Sequence, residues 1–116
     1  MRTLGVDTPE VKDPRKPIQC GGPEASQFAR DTLLGQPVRL VGDPTQDQVD
    51  RYGRSLFYVE LPDATDYSTL VAENGWAHAY IYNPKRVPQR IGQIRAAEGQ
   101  ARAAGRGIWS LCPVTT

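Results

Sequence analysis

Residues 2–11 read RTLGVDTPEV, and the fold turns on how this decapeptide is used. Its first half, Arg2 to Val6, reads as a short strand. In its second half, DTPE suggests a turn where Thr8 caps a helical turn, Pro9 takes the first position and Glu10 is favoured by the dipole. The same ten residues also carry a guanidinium and two carboxylates with a proline between them. A turn is the simpler reading of the segment in isolation, so the rest of the chain has to decide.

A length of 116 residues suits one domain over residues 1–116, large enough for a core but not for two. Hydrophobic residues make up 39% and charged residues 23%, which is ordinary for a globular chain and argues against wholesale disorder. The formal net charge of +1 leaves no broad basic face, so a nucleic-acid partner would have to be gripped at a focused site. There is no long apolar run to span a membrane and no charged-then-apolar leader at the start. Nothing in the sequence points to a protein partner. Cys20 and Cys112 are the two cysteines: either unrelated buried thiols, or one disulfide that would imply an oxidising compartment.

Beyond the opening strand, KDPRKPIQCGG is rich in proline and glycine and reads as a loop or arm. A helix over residues 22–34 is predicted from Pro23 in its first turn and the stripe of Ala25, Phe28, Ala29, Thr32 and Leu33, with Gly35 as its stop. PVRLVG reads as a short strand, DPTQDQVDRYG as a polar connection, and RSLFYVELP as a strand rich in aromatic and β-branched residues. A second helix fits YSTLVAENG, and WAHAYIYNP reads as extended or irregular up to Pro84. The last helix is expected over residues 88–104, with Ile91, Ile94, Ala97 or Glu98, Ala101 and Ala104 facing inward and Arg90, Arg95 and Arg102 in water. Trp109 should fold back over the core. Three helices and few strands indicate an α+β class with a small, open or barrel-like sheet.

The blocks RTLGVDTPEV, GPEAS, DRYGRSLFYVEL, LVAENGWAHAYIY and RAAEGQARAAGRGIWS, in this order and spacing, resemble the staphylococcal nuclease (thermonuclease) family over nearly the whole chain. Each block is weak alone; five in register are specific. The resemblance implies an OB-fold-type small β-barrel with three helices that hydrolyses phosphodiester bonds of DNA and RNA with calcium. It further implies that Asp7 and the Thr8 carbonyl ligate calcium and that Glu10 orients or deprotonates the attacking water. By the same resemblance Arg2 and Arg54 hold the reacting phosphate, and Arg51, Tyr52 and Tyr80 line the nucleotide pocket. It tips Cys20 and Cys112 toward a disulfide and the protein toward secretion.

The chemistry of these residue types agrees with those roles. Calcium is a hard cation that takes carboxylate, carbonyl and water oxygens, and an Asp-Thr pair at a sharp turn can supply two of them. A water attacking phosphorus needs a base or orienting acceptor, which Glu10 would provide. Paired guanidinium groups present planar forks to phosphate oxygens, which lysine cannot. Tyrosine rings let a base stack without reading its sequence. Plainer roles are open to the same residues: Arg54 could end a hairpin strand, and Tyr52, Tyr58, Tyr80 and Tyr82 could be packing residues. His78 has no metal-like partner spacing and reads as a surface or satisfied residue.

The resemblance also implies two strands upstream of Met1, with a further calcium-ligating aspartate that has no counterpart among these 116 residues. A chain truncated at its N-terminus is therefore expected, with an open barrel edge and a weakened calcium site. The alternative function on the same scaffold is a catalytically weak or inactive nucleic-acid-binding module. A purely structural domain is disfavoured, because Arg2, Asp7, Glu10 and Arg54 are present together.

Overall fold

A computed structural model describes residues 2–9 and 19–112. Among them the order is β1 (Arg2–Thr3), β2 (Val6–Asp7), α1 (Gly22–Leu33), β3 (Arg39–Val41), β4 (Leu56–Glu60), α2 (Tyr67–Glu73), β5 (His78–Ala79), α3 (Ile91–Ala104) and α4 (Ile108–Leu111). β4 is central, with β1 parallel on one side and β3 antiparallel on the other. A second sheet pairs β2 antiparallel to β5, matching Val6 with Ala79 and Asp7 with His78. The α+β class is as read from the sequence. Closure into a barrel is not seen among the described residues, and α4 is a short fourth helix beyond the three expected.

The expected strand from Arg2 to Val6 is broken in two. Gly5 adopts φ +85°, a left-handed conformation that side chains resist. A Cβ at Gly5 would also collide with Cδ1 of Ile94, which is wholly buried on α3. The break is held from three sides. The buried Ser68 hydroxyl of α2 donates to the Leu4 carbonyl at 2.6 Å, and the Leu4 N–H donates to the Phe57 carbonyl at 3.0 Å. The Tyr80 N–H then takes the Gly5 carbonyl at 2.8 Å. This kink moves the chain from the first sheet to the second, so Arg2 and Asp7 sit on different sheets yet approach each other.

Leu4, Val6, Leu56, Tyr58, Val59, Val71, Ala72 and Ile94 build one core between β4, α2 and α3, with Phe28 and Leu33 of α1 packed against it. β4 is buried almost throughout, as a central strand covered on both faces must be. α2 starts where Asp66 accepts the Thr69 N–H at 3.1 Å, and α3 ends on the left-handed Gly105. α3 begins at Ile91, later than expected from Pro88.

One expectation for α3 is corrected. Arg90 is not in water: its guanidinium lies 4.5 Å over the Tyr58 ring and donates to Glu60 at 2.7 Å and Asp66 at 3.2 Å. Arg39 takes the other oxygen of Glu60 at 2.7 Å. Two largely buried carboxylates need cations: Arg90, at the helix start, bridges both, and Arg39 also serves Glu60. Trp109 packs against Arg102 of α3, 5.0 Å over its ring, and edge-on to His78 of β5 at 5.1 Å.

Cys20 and Cys112 are joined by a disulfide, with Cα atoms 5.8 Å apart and a sequence separation of 92. It fastens the segment before α1 to the residue that ends α4. Reduction should cost about 2–5 kcal/mol, as for a native disulfide in a small domain, measurable as a lower urea midpoint with dithiothreitol than without. Two freely alkylated thiols in protein secreted into an oxidising medium would contradict the bridge. Gly5→Ala should destabilise by at least ~1 kcal/mol, through strain and the collision with Ile94. Part of that loss should return in the Ile94→Val background, where the colliding methyl is gone. Purely additive losses in the double variant would disprove that contact.

Candidate functional site

Five of the residues singled out in the sequence meet around the kink. Arg2, Thr8 and Arg54 line one cleft of about 180 Å³ together with Thr3, Val6 and Tyr67. The Asp7 carboxylate lies 3.7 Å from the Arg2 guanidinium and is more than half exposed. Tyr80 provides a platform, its ring centroid 5.0 Å from the Arg2 guanidinium carbon. Asp7 and Thr8 also form the rim of a neighbouring cleft of about 360 Å³ with Pro9, Gln19, His78, Ile108 and the disulfide. Thr8 and Pro9 follow β2 as irregular backbone, and the helical turn that a Thr8 cap would start lies mostly outside the described residues. Glu10 lies outside the described residues.

Arg54 reaches the cleft from a hairpin tip. The bridge between Val49 and Ser55 closes it, and Gly53 turns the chain at φ +79°. At its centre sits Asp50, whose side chain is fully buried. One carboxylate oxygen accepts the N–H groups of Tyr52 and Arg54, both at 2.9 Å. The other accepts Nε of Arg54 at 2.7 Å. Burial pushes the Asp50 carboxyl up, but the hydrogen bonds from Arg54 and Tyr52 outweigh it and hold the pKa below its ordinary value of 3.8. The carboxylate is therefore charged at neutral pH.

Tyr52 and Arg51 sit on the outside of the same tip. The largely exposed Tyr52 ring has Arg54 5.3 Å and Arg51 5.0 Å from its centroid, so both cations lean on one aromatic plate. Neither Arg51 nor Tyr52 lines the 180 Å³ cleft itself. Burial pushes the Tyr67 hydroxyl on the cleft wall up to about 12, which keeps it neutral. His78 has Nδ1 3.4 Å from the Glu98 carboxylate and its ring edge-on to Trp109 at 5.1 Å.

The oxygen-only donors Asp7 and Thr8 fit a hard divalent cation in kind. No group of three or more His, Cys, Asp or Glu side chains able to hold a metal occurs among the described residues. The sequence reading passed over Asp50, which it placed inside a polar connection. Its signal was there: an aspartate followed by a glycine turn is a common Asx-turn arrangement.

With this geometry in place, residues 1–111 match the family model described as staphylococcal nuclease homologue, and the chain belongs to that family. It is 40% identical over 110 residues to a thermonuclease of Staphylococcus hyicus, covering 95% of this chain and 62% of that protein. It is 34% identical over 110 residues to the endonuclease YncB of Bacillus subtilis, covering 95% and 51%. Against a micrococcal nuclease of Shigella flexneri the identity is 30% over 118 residues, covering 95% and 60%. The chain thus spans between half and two thirds of the length of these relatives.

Acid should expose the buried carboxylates. Burial raises the Asp43 pKa, but hydrogen bonds from Thr45, Tyr58 and Gln89 more than offset it, leaving the group below its ordinary 3.8. The stability that a depressed carboxyl contributes is present above 3.8 and is lost as pH falls through the folded value. Urea midpoints of the parent protein should fall steeply below about pH 4, and Asp43→Asn should flatten that limb. An unchanged slope in the variant would remove Asp43 from the acid response.

Proposed function

We propose that this protein is a phosphodiesterase of the nuclease type, hydrolysing DNA and RNA with little sequence specificity and with calcium as its metal. The observation that carries the reading is the convergence of Arg2 and Arg54 on one cleft beside Asp7 and Thr8. Family membership and the nuclease names of the relatives support it. The two small sheets are read as part of an OB-type barrel.

In this reading the two guanidinium groups bind the phosphodiester and offset the negative charge that grows on its oxygens as water attacks phosphorus. The entering water forms one P–O bond while the ester P–O bond opposite breaks, and the leaving oxygen takes a proton from solvent. Glu10 accepts the proton of the attacking water. Asp7 and the Thr8 carbonyl would hold the cation, which when bound polarises the phosphate. Tyr52 and Tyr80, with Arg51 beside Tyr52, offer faces and charge to the flanking nucleotide without reading its base, which is why sequence preference is slight. The disulfide fits action in an oxidising, extracellular compartment.

Cleavage of single-stranded DNA with calcium, followed by steady-state kinetics, tests the reading. Glu10→Gln should lower kcat by about 10²–10⁴-fold with little change in nucleotide affinity. Arg54→Lys should also lose activity, because the planar fork is gone while the charge remains. Binding of nucleic acid without any cleavage would leave a binding module in place of an enzyme. Full turnover in Glu10→Gln would remove that residue from the mechanism.

A further inference from the structure

We propose that Asp50 is a positioning residue for the reaction, fixing the Arg54 guanidinium so that its Nη edge faces the scissile phosphate. The inference rests on the nuclease reading of the cleft. Its geometric ground is separate, because Asp50 does not line the cleft.

The carboxylate is fully buried beneath the hairpin tip, and its two oxygens do different work. Oδ1 takes the backbone N–H groups of Tyr52 and Arg54, which fixes the turn. Oδ2 takes Nε of Arg54 at 2.7 Å, which fixes the side chain. The Asp50 N–H also donates to the Arg54 carbonyl at 2.9 Å, so the two residues are tied at both backbone and side chain. An arginine has a long, flexible stem, and its planar head is useful to a phosphate only if the fork is aimed. Holding Nε from behind leaves the Nη donors for a ligand, and among the described residues no hydrogen bond engages them. The Tyr52 ring 5.3 Å from the guanidinium carbon limits the remaining freedom on one face. Arg2 is held differently, by Tyr80 and at 3.7 Å by Asp7. Asp7 is also the candidate metal ligand, so the Arg2 contact changes when a cation binds, whereas the Asp50–Arg54 pair need not.

Asp50→Asn separates the two jobs. The amide oxygen can keep the backbone N–H groups at Oδ1, while its NH₂ opposes the Nε–H donor and releases the guanidinium. Asp50→Asn should lower kcat on single-stranded DNA by about 10²-fold, the scale of a misplaced reacting group, with a smaller change in KM. In the Arg54→Ala background the same substitution should lower kcat no further, because the group it aims is already absent. An equal fall in both backgrounds, or no fall in the parent background, would overturn the inference.

Nitrogen-15 NMR of the arginine side chains gives a readout that does not need turnover. The Arg54 Nε–H should exchange slowly in the parent chain and fast in Asp50→Asn, and inorganic phosphate should bind about 10-fold more weakly to the variant. If the parent cleaves nothing, the nuclease reading fails, and these two measurements still judge the Asp50 assignment. Equal exchange and equal phosphate affinity in parent and variant would overturn it.

Discussion

The hydrogen bond from the buried Tyr58 hydroxyl to Asp43, 2.6 Å long, is the contact on which the rest of the structure depends. Tyr58 stands on the central strand, so whatever binds its hydroxyl is fixed relative to both sheet neighbours. The other partners of Asp43 are Thr45, through its N–H at 2.9 Å and its hydroxyl at 2.6 Å, and the Gln89 N–H at 2.8 Å. The Tyr58 oxygen in turn accepts the Arg90 N–H at 3.2 Å. One carboxylate and one phenol therefore join β4, the loop after β3 and the approach to α3. Burial and the Asp43 carboxylate raise the Tyr58 hydroxyl well above the usual tyrosine range, so it stays a donor at any physiological pH. Arg90 extends the knot to Glu60 on β4 and to Asp66, the cap of α2.

A framework tied in this way can support charge at the cleft. Strand β1 hangs on β4 through the register of Arg2 with Leu56, and Arg54 leaves the hairpin tip just before the same strand begins. Both guanidinium groups are thus referred to β4. The Gly5 kink supplies the other half by carrying Asp7 and Thr8 around to the same place. Arg2 and the oxygens of Asp7 and Thr8 come from opposite sides of one bend, which is an arrangement that a straight strand could not offer.

The helices were readable because their signals are local: an apolar stripe, Pro23, and glycines at the ends. Ala25, Ile94 and Ala101 fall where periodicity put them. What the sequence concealed depends on contacts far apart in the chain. Periodicity counted Arg90 as a surface residue, since nothing nearby announces that Glu60 and Asp66 lie beneath it. Asp43 looked like a member of a polar connection and is a buried hub, joined to Tyr58 and Gln89 far along the chain. The break at Gly5 needed knowledge of Ile94, 89 positions later. For the site, the order of the family-like blocks pointed to the kink residues, whereas Asp50 was passed over although its Asx-turn signal and its partners Tyr52 and Arg54 are local. Glu10 lies outside the described residues, so its geometry adds nothing to the sequence argument.

The central claim is that a phosphodiester sits in the cleft between Arg2 and Arg54. Titration of the chain with a nucleoside 3′,5′-bisphosphate and calcium, followed by backbone amide shifts, tests it most directly. The account predicts saturable shifts concentrated at residues 2–9, 50–54 and 80. Shifts centred instead on the separate groove lined by Arg39, Glu60, Leu61 and Ala64, with residues 2–9 and 50–54 unmoved, would contradict it.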